Sequence, residues 1–300
     1  MADVIIVGAG TAGLSAAIYV QRAGKQALVF ESTVYGGQII NTPDIENYPG
    51  IAHISGYDFA SSLYSQATGL GAEVKFEKVL SIEDQGEKKI VKTSGGEYAA
   101  QAVILATGAK NRPLGLPREQ ELTGRGVSYC ATCDGAFFRG KHVAVAGGGN
   151  TALEDAAYLA NGCSKVTVIH RRDQFRGDEK EVQLLREKPN VEFVLNANVT
   201  GLVGGDKVEG VEVTDKFSGE KKTLPVSALF VAIGQQPDNK PFANLVRLDA
   251  KGYIIAGEDC RTETEGVYAA GDCRTKTVRQ LTTAAADGAV AAMGACGRLS

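Results

Sequence analysis

Two cysteines separated by two residues are the clearest chemical feature of this 300-residue sequence. Cys130 and Cys133 lie in the run Ser-Tyr-Cys-Ala-Thr-Cys-Asp-Gly, and this spacing allows the two sulfurs to close a small disulfide ring. The same spacing supplies half of a zinc site, but the chain has no second such pair and only three histidines, so we predict a redox dithiol and no metal site. Asp134 could handle a proton when a thiolate leaves, or could be a turn residue before Gly135.

A nucleotide-binding pattern opens the chain. A buried strand over 3–7 leads into Gly-Ala-Gly-Thr-Ala-Gly, a helical pattern that stops at Gly24, and a second strand over 27–30. The glycines allow a tight turn, close approach of a pyrophosphate and close packing of helix on strand, while Glu31 at the next strand end is placed to accept hydrogen bonds from a ribose. The residues of the turn predicted to contact the nucleotide are Gly8, Gly10, Thr11, Ala12 and Gly13.

The same layout occurs a second time. A strand over 142–146 is followed by Gly-Gly-Gly-Asn-Thr-Ala, a helix that runs to Gly162 and a strand over 166–169. Thr151 and Glu154 have the spacing of a capping box, so we expect Glu154 to cap this helix. The residues expected to contact the second nucleotide are Gly147, Gly149, Asn150, Thr151, His170, Arg171, Arg172 and Arg176.

The end of the second copy's last strand differs from the first in charge. The acid is replaced there by the run His-Arg-Arg-Asp-Gln-Phe-Arg, residues 170–176. An acid would bind a 2′-hydroxyl and repel a 2′-phosphate, whereas guanidinium groups pair with phosphate oxygens. The alternative is a solvated basic loop, but the arginines fall where the ribose is expected, so we predict NADP rather than NAD at this site.

The two copies indicate two domains, one inserted into the other. Each copy continues through short strands to an apolar strand that ends in glycine, at Gly108 and Gly234, and proline-bearing segments follow at 111–117 and 235–241. The last sixty residues must then return to the first domain. Two nucleotide sites in one chain predict electron transfer between two cofactors. The expected boundaries are 1–112, 113–241 and 242–300.

Composition excludes several classes of protein. The net charge is only -3 with 44% hydrophobic and 22% charged residues, so nucleic acid is not an expected partner. No signal-peptide pattern and no apolar run of about 18 residues is visible, which predicts a cytoplasmic protein that does not enter the membrane. We expect four isolated cysteines to be core residues, namely Cys163, Cys260, Cys273 and Cys296.

Taken together, these motifs resemble a known family over nearly the whole chain. Cys-Ala-Thr-Cys-Asp-Gly, Gly-Gly-Gly-Asn-Thr-Ala, His-Arg-Arg-x-x-x-Arg, Thr-Gly-Ala and the late Tyr-Ala-Ala-Gly-Asp occur in the order found in the low-molecular-weight thioredoxin reductases, within the class II pyridine nucleotide-disulfide oxidoreductases. Thr11 stands where the family often has proline, which a helix start tolerates. The resemblance implies an α/β fold of two three-layer Rossmann-like nucleotide-binding domains, with the NADPH domain inserted into a discontinuous FAD domain.

The resemblance also implies the first cofactor. The residues alone permit NAD or FAD at the first turn, although flavin is the usual converter between hydride and dithiol chemistry. The family places FAD there and NADPH at the second turn. The further FAD contacts that it implies are Gly36, Gly37, Gln38, Asn47, Thr107, Gly108, Gly271, Asp272, Arg279 and Gln280.

Roles for the redox residues follow from the same resemblance. It implies that Cys133 faces the flavin, that Cys130 attacks the disulfide of a thioredoxin, and that Asp134 is the acid-base group. It further implies rotation of the NADPH domain between the half-reactions, and a homodimer. A reductase of another small dithiol protein, or a flavin-binding redox sensor without turnover, would carry the same motifs. Ferredoxin-linked relatives are disfavoured, because they would lack either the cysteine pair or the arginines.

Overall fold

The computed structural model describes residues 2–42 and 44–299, which form two compact units. One unit ends at Lys110 and resumes at Gln236, and the other spans Asn111–Gln235. The inserted unit therefore begins two residues before, and ends six residues before, the boundaries expected from the sequence.

Strands and helices alternate in both units. The strands are β1 Ala2–Val7, β2 Ala27–Phe30, β3 Glu73–Lys75, β4 Val79–Asp84, β5 Lys89–Thr93, β6 Glu97–Leu105, β7 Ala109–Asn111, β8 Val127–Ser128, β9 His142–Gly147, β10 Lys165–His170, β11 Val191–Leu195, β12 Ala197–Val203, β13 Gly210–Asp215, β14 Lys221–Leu224, β15 Ala228–Ala232, β16 Gln235–Pro237 and β17 Val267–Ala269. The helices are α1 Thr11–Arg22, α2 Gly56–Gly69, α3 Ala131–Asp134, α4 Asn150–Ala160, α5 Glu179–Arg186 and α6 Leu281–Arg298. Short 3₁₀ turns are Gly37–Asn41, Gly135–Phe138, Lys240–Phe242 and Gly271–Cys273.

The first unit is built on a mixed sheet of order β3-β2-β1-β6-β5-β4. Strands β3, β2, β1 and the second half of β6 are parallel, whereas β5 and β4 are antiparallel. Because β6 is nine residues long, its first half pairs with β5 and its second half pairs with β17. Side chains alternate between two cores, so that Val4 and Ile6 pack with α1 and α6 while Ile5 and Val7 face the opposite core.

The second unit repeats the nucleotide-binding arrangement. Its main sheet is parallel with order β11-β10-β9-β15-β8, and a separate antiparallel sheet has order β12-β13-β14. Every residue of β15 and nearly every residue of β9 and β10 is buried, as expected for a sheet covered on both faces. The predicted fold class, two Rossmann-like α/β domains with one inserted, is confirmed.

The predicted capping box on α4 is wrong. The helix begins at Asn150, its N-cap is Gly149, and no side chain caps it. Thr151 therefore lies inside the first turn, and Glu154 is exposed one turn further on. A capping box does occur on α6, where Gln280 and Thr283 bond each other's backbone amides.

The four isolated cysteines are buried core residues, as expected from the sequence. Burial raises the pKa of all four thiols, which leaves them protonated and unreactive. Among the described residues, we find no helix with the length and apolarity required to cross a membrane.

Candidate active site and nucleotide sites

The predicted redox pair forms a disulfide in the second unit. The sulfurs of Cys130 and Cys133 are joined and their Cα atoms lie 5.3 Å apart. Cys130 is the N-cap of α3, so the disulfide closes the first turn of this short helix. Ala131 is fully buried against α4 residues, whereas both cysteines are partly exposed. The pair is thus held on a packed support with its sulfurs at the edge of the core.

Asp134 is held beside the pair by a serine. Ser128 Oγ donates a hydrogen bond to Asp134 Oδ2 at 2.6 Å and accepts one from the backbone N–H of Cys130 at 3.1 Å. Burial raises the pKa of Asp134, and the hydrogen bond from Ser128 lowers it in part. A carboxyl group whose pKa is raised toward neutrality, next to a dithiol, is suited to exchange a proton with it.

A second carboxyl group, that of Asp155 on α4, contacts the start of α3. Burial raises the pKa of Asp155 to about 7, the neighbouring charge of Glu154 raises it as well, and a hydrogen bond from the backbone of Ala131 lowers it. Because Ala131 directly follows Cys130, a group that titrates near neutral pH supports the backbone of the active disulfide. Sequence reasoning missed Asp155, which has the ordinary appearance of a helix-surface acid.

The first glycine turn combines tight packing with open space. A Cβ atom on Gly8 would come within 2.3 Å of the Ala106 carbonyl oxygen, and one on Gly13 would come within 1.8 Å of the Gly8 oxygen. Gly10 is different, because a Cβ on it would approach Gly36 O only to 4.0 Å. Helix α1 then begins with no side-chain cap and no acid in its first turn, although α2 and α5 both have side-chain caps. The turn therefore leaves room and unbonded amides for a phosphate.

Glu31 is engaged in bracing this turn. One of its carboxylate oxygens accepts a hydrogen bond from Ala9 N at 3.0 Å, and the other accepts from Ser32 N at 2.7 Å. Thr11 and Ala12 form the start of α1 and are buried. The ribose contact of Glu31 stays a prediction.

Asp272 has a buried carboxylate oxygen that is available to a ligand. Its Oδ1 is buried and has no hydrogen-bond partner among the described residues. Burial raises the pKa of this carboxyl, while Lys276 and Arg279 lower it. The adjacent Gly271 lies against α1, since a Cβ on it would be 2.8 Å from the Ala12 Cβ. A ligand hydroxyl at this end of the first turn would satisfy the orphaned oxygen, which fits the ribityl chain of FAD.

Two other predicted FAD contacts already hold parts of this unit together. Gln38 donates to the carbonyl oxygen of Ala109, and Thr107 Oγ1 donates to Asn239 Oδ1 at 2.8 Å. Asn239 is 1% exposed and donates to the carbonyl of Cys273 at 2.9 Å, so it ties β6 to the turn that carries Asp272. The other predicted glycines adopt left-handed backbone conformations, at Gly36, Gly37 and Gly108.

The remaining predicted contacts form a second group in the same unit. Asn47 Nδ2 donates to Gln280 Oε1 at 3.2 Å, which joins two segments far apart in sequence. The Arg279 guanidinium lies 4.2 Å from the ring centroid of Tyr253, and its Nε donates to the Asp272 carbonyl oxygen at 3.5 Å. Arg279 is therefore oriented by an aromatic face that sequence reasoning missed.

The second glycine turn, like the first, has one closely packed glycine and one that faces open space. A Cβ on Gly147 would come within 2.4 Å of the Ala232 carbonyl oxygen, whereas one on Gly149 would meet no described atom within 4 Å. Helix α4 starts at Asn150 without a side-chain cap and without an acid in its first turn. Thr151 is exposed at the same end. This helix start also suits an anionic ligand.

The arginine-bearing loop after β10 folds over the second turn. Arg176 N donates to the Gly148 carbonyl oxygen at 2.7 Å, and Asn150 Oδ1 accepts from Asp178 N at 2.9 Å. The guanidinium-bearing residues of the loop are all exposed, at Arg171, Arg172 and Arg176. The loop thus brings three cations to the turn expected to hold the dinucleotide.

His170 has a structural position under that loop. It is 5% exposed, its Nε2 donates to the Gln174 carbonyl oxygen at 3.1 Å, and its ring stacks on Phe175 with centroids 5.1 Å apart. A Cβ on Gly148 would come within 2.1 Å of the imidazole ring. His170 therefore fills the space that Gly148 leaves and braces the loop; its contact with NADPH stays a prediction.

Among the described residues, one group of potential metal ligands occurs, on the segment that also carries Asn47. His53 Nδ1 lies 3.0 Å from Asp44 Oδ2 and 3.4 Å from Glu46 Oε1. The imidazole is mostly exposed, and its hydrogen bond with the Asp44 carboxylate accounts for the arrangement.

Sequence reasoning missed the residues that act through partners far along the chain. Asn239 meets Thr107 across 132 positions, and no local pattern marks such a pair. Ser128 could have been found, because it lies two residues before Cys130 within the quoted redox run.

Comparisons with known proteins agree with this arrangement. The pyridine nucleotide-disulphide oxidoreductase family model matches residues 2–288. A thioredoxin reductase of Bacillus subtilis is 43% identical over 291 residues, covering 97% of this chain and 92% of the relative. A solved thioredoxin reductase of Streptococcus pyogenes is 41% identical, with a TM-score of 0.96 over 100% of this chain and 98% of that chain.

A third match has a lower structural score at similar identity. The thioredoxin reductase of Lactococcus lactis is 39% identical and has a TM-score of 0.67, covering 98% of both chains. The thioredoxin reductases of this family use FAD and NADPH, in agreement with the cofactors predicted from the sequence. The family model and the relatives both span almost the whole chain, and the chain therefore belongs to the pyridine nucleotide-disulphide oxidoreductase family, among its thioredoxin reductases.

Proposed function

We propose that this protein is an NADPH-dependent thioredoxin-disulfide reductase. The observation that carries the proposal is the Cys130–Cys133 disulfide, which lies beside the partly buried carboxyl of Asp134. The same unit contains a glycine turn and helix start suited to a phosphate. The exposed arginines of the loop after β10 support NADPH over NADH. Guanidinium groups bind the 2′-phosphate of NADPH, whereas NADH has a neutral 2′-hydroxyl at the same position.

FAD fits the first unit on this chain's own residues. The uncapped start of α1 would hold the pyrophosphate, and Asp272 Oδ1 would accept a hydrogen bond from a ribityl hydroxyl. When bound, FAD supplies the conversion of a hydride from NADPH into an electron pair for the disulfide.

The cysteines and Asp134 carry the thiol chemistry. Two electrons and two protons open the disulfide to the dithiol, with Cys133 as the flavin-facing sulfur. The Cys130 thiol gives its proton to Asp134, and the resulting thiolate attacks one sulfur of the thioredoxin disulfide. A mixed disulfide forms, and the other thioredoxin sulfur leaves as a thiolate that takes up a proton. The Cys133 thiol then loses its proton and attacks Cys130 Sγ as a thiolate, which re-forms the protein disulfide. The second thioredoxin sulfur is released as a thiolate that takes up this proton, so that both protons of the dithiol end on thioredoxin.

Three further features belong to the proposal. The cytoplasm suits the four buried thiols, because a reducing compartment leaves cysteines out of disulfides. We also propose a homodimer. Rotation of the NADPH-binding unit between the half-reactions stays a prediction; a crosslink between the units should stop turnover and leave one half-reaction intact.

The function is tested with Cys133→Ser and a matched control, Cys163→Ser, which changes a buried cysteine of the same unit. Cys133→Ser should bind FAD and be bleached by NADPH under anaerobic conditions, yet should not reduce thioredoxin. The control should retain reduction of thioredoxin. Thioredoxin reduction by Cys133→Ser would show that this disulfide is not the active one. A wild-type protein that NADPH bleaches but that no thioredoxin reoxidises would instead be a redox sensor or serve another dithiol protein.

A further inference from the structure

A buried carboxylate on α6 has no part in the mechanism above. Asp287 is 6% exposed, and its Oδ1 accepts a hydrogen bond from Arg274 Nη2 at 2.7 Å. Its Oδ2 accepts from Arg274 Nε at 2.8 Å, from Lys276 Nζ at 2.9 Å and from Gly271 N at 2.9 Å. All of these donors belong to the segment 271–276. One carboxylate therefore fixes this whole segment to α6.

Two cations meet the carboxylate of Asp287. The side chains of Arg274 and Lys276 are 8% and 7% exposed, so two buried cations share the single carboxylate of Asp287. Removal of ions from water is costly, and a buried ion pair is weak evidence for stability by itself. The second cation also acts on the neighbouring Asp272 carboxyl, so the cluster extends from Asp287 to Asp272.

Asp272 lies within the fixed segment. Asp287 holds the amide of Gly271, the residue directly before it, and Arg279 donates to its carbonyl oxygen. Lys276 is the largest charge that lowers the pKa of Asp272 against the effect of burial. The cluster thus controls both the backbone that presents Asp272 and the charge on its carboxyl. The orphaned Oδ1 of Asp272 shows that this presentation is directed at a ligand and not at the protein.

We propose that Asp287 is a positioning residue of the flavin site, which, with Arg274 and Lys276, holds the 271–276 segment so that the Asp272 carboxylate meets a hydroxyl of FAD. The inference rests on the proposed function only in that FAD binds this unit. It requires neither a particular protein substrate nor NADPH specificity.

The test compares Asp287→Asn with Asp84→Asn. Asp84 is the matched control because it pairs with Lys89, a 1% exposed lysine of the same unit, at 2.6 Å, and has no contact with 271–276. Each protein is stripped of flavin, its thermal midpoint is measured, and FAD is titrated back while flavin fluorescence is followed. We expect Asp287→Asn to weaken FAD binding at least tenfold, equivalent to about 1.4 kcal/mol. Asp84→Asn should bind FAD within twofold of wild type, even if its thermal midpoint falls as far.

Lys276→Met covers the case in which Asp287→Asn does not fold. This variant keeps the two bonds between Arg274 and Asp287 and removes the Lys276 charge, which lowers the pKa of Asp272. We expect a several-fold loss of FAD affinity with a folded apoprotein. Wild-type affinity in Asp287→Asn, or in Lys276→Met where the first variant is unfolded, would overturn the proposal. So would a loss of affinity in Asp84→Asn equal to that in Asp287→Asn.

The outcomes for the two proposals are separable. If wild type binds FAD and reduces thioredoxin while Asp287→Asn keeps full FAD affinity, the positioning role is wrong and the proposed function stands. If wild type binds FAD without reducing thioredoxin while Asp287→Asn binds it weakly, the positioning role stands and the proposed function is wrong.

Discussion

Ser128 offers a sharp test of how the redox centre handles protons. The residue is 3% exposed, and its hydroxyl donates to Asp134 Oδ2 at 2.6 Å and accepts from the amide of Cys130. This hydrogen bond favours the charged carboxylate and lowers the pKa of Asp134, while burial raises it. Ser128→Ala removes the stabilising donor and leaves the burial, so the pKa of Asp134 should rise further.

The size of the change follows from the charged hydrogen bond. Such a bond contributes about 1.5 to 3 kcal/mol. Since one pKa unit corresponds to about 1.4 kcal/mol, the pKa of Asp134 should rise by about one to two. Asp134 must be deprotonated to take the proton of Cys130, so the increase of kcat/KM for thioredoxin with pH should move to higher pH by about that amount. At alkaline pH the variant and the wild type should converge.

The assay measures kcat/KM for thioredoxin from pH 5 to 9. Thr132→Ala is the control, because it removes a hydroxyl that lies 3.4 Å from Cys130 Sγ and leaves the Ser128–Asp134 hydrogen bond in place. Asp134→Asn should remove the acidic limb altogether. An unmoved limb in Ser128→Ala, or an equal movement in Thr132→Ala, would refute the assignment of Asp134 as the titrating group.

Two further predictions concern charge at other positions in the second unit. Replacement of Arg171, Arg172 and Arg176 with alanine should lower the ratio of kcat/KM for NADPH to that for NADH at least tenfold, from contacts of about 1.5 to 3 kcal/mol each before non-additivity; an unchanged ratio would contradict the 2′-phosphate assignment. The pKa of Asp155 is raised to about 7 from a usual value of 3.8, so the unfolded chain loses this proton at a lower pH than the folded protein does. The free energy of unfolding therefore falls as the pH rises between these two values, and the loss is constant at higher pH. Asp155→Asn should therefore raise the thermal midpoint relative to wild type at pH 8 more than at pH 5, and a pH-independent difference between the two proteins would contradict the raised pKa.

The predicted elements that proved correct depend on short-range rules. The strand Ala27–Phe30 appears with the predicted bounds, and the strand expected over 3–7 is one residue longer. The Cys130–Cys133 disulfide could be predicted because a spacing of two intervening residues keeps the two sulfurs close together. Gly8 and Gly13 could be assigned because a Cβ would collide at either position.

The capping box failed for a reason connected with function. Thr151 and Glu154 satisfy the local pattern, but the N-cap is Gly149, two residues before Thr151, and the helix starts at Asn150. An N-terminus that is to bind a phosphate has to keep its amides unbonded, so the local capping preference is overridden there.

The sequence by itself determined the two nucleotide folds, the disulfide and the cysteines of the core, because each depends on residue type and on spacing within a few positions. Only the tertiary structure decided which polar groups meet. Ser128 donates a hydrogen bond to Asp134, and Asn239 links Thr107 to the turn at Asp272. Asp287 pairs with two buried cations. These contacts depend on the packing of separate elements, and their energies come from burial, which a linear pattern does not contain.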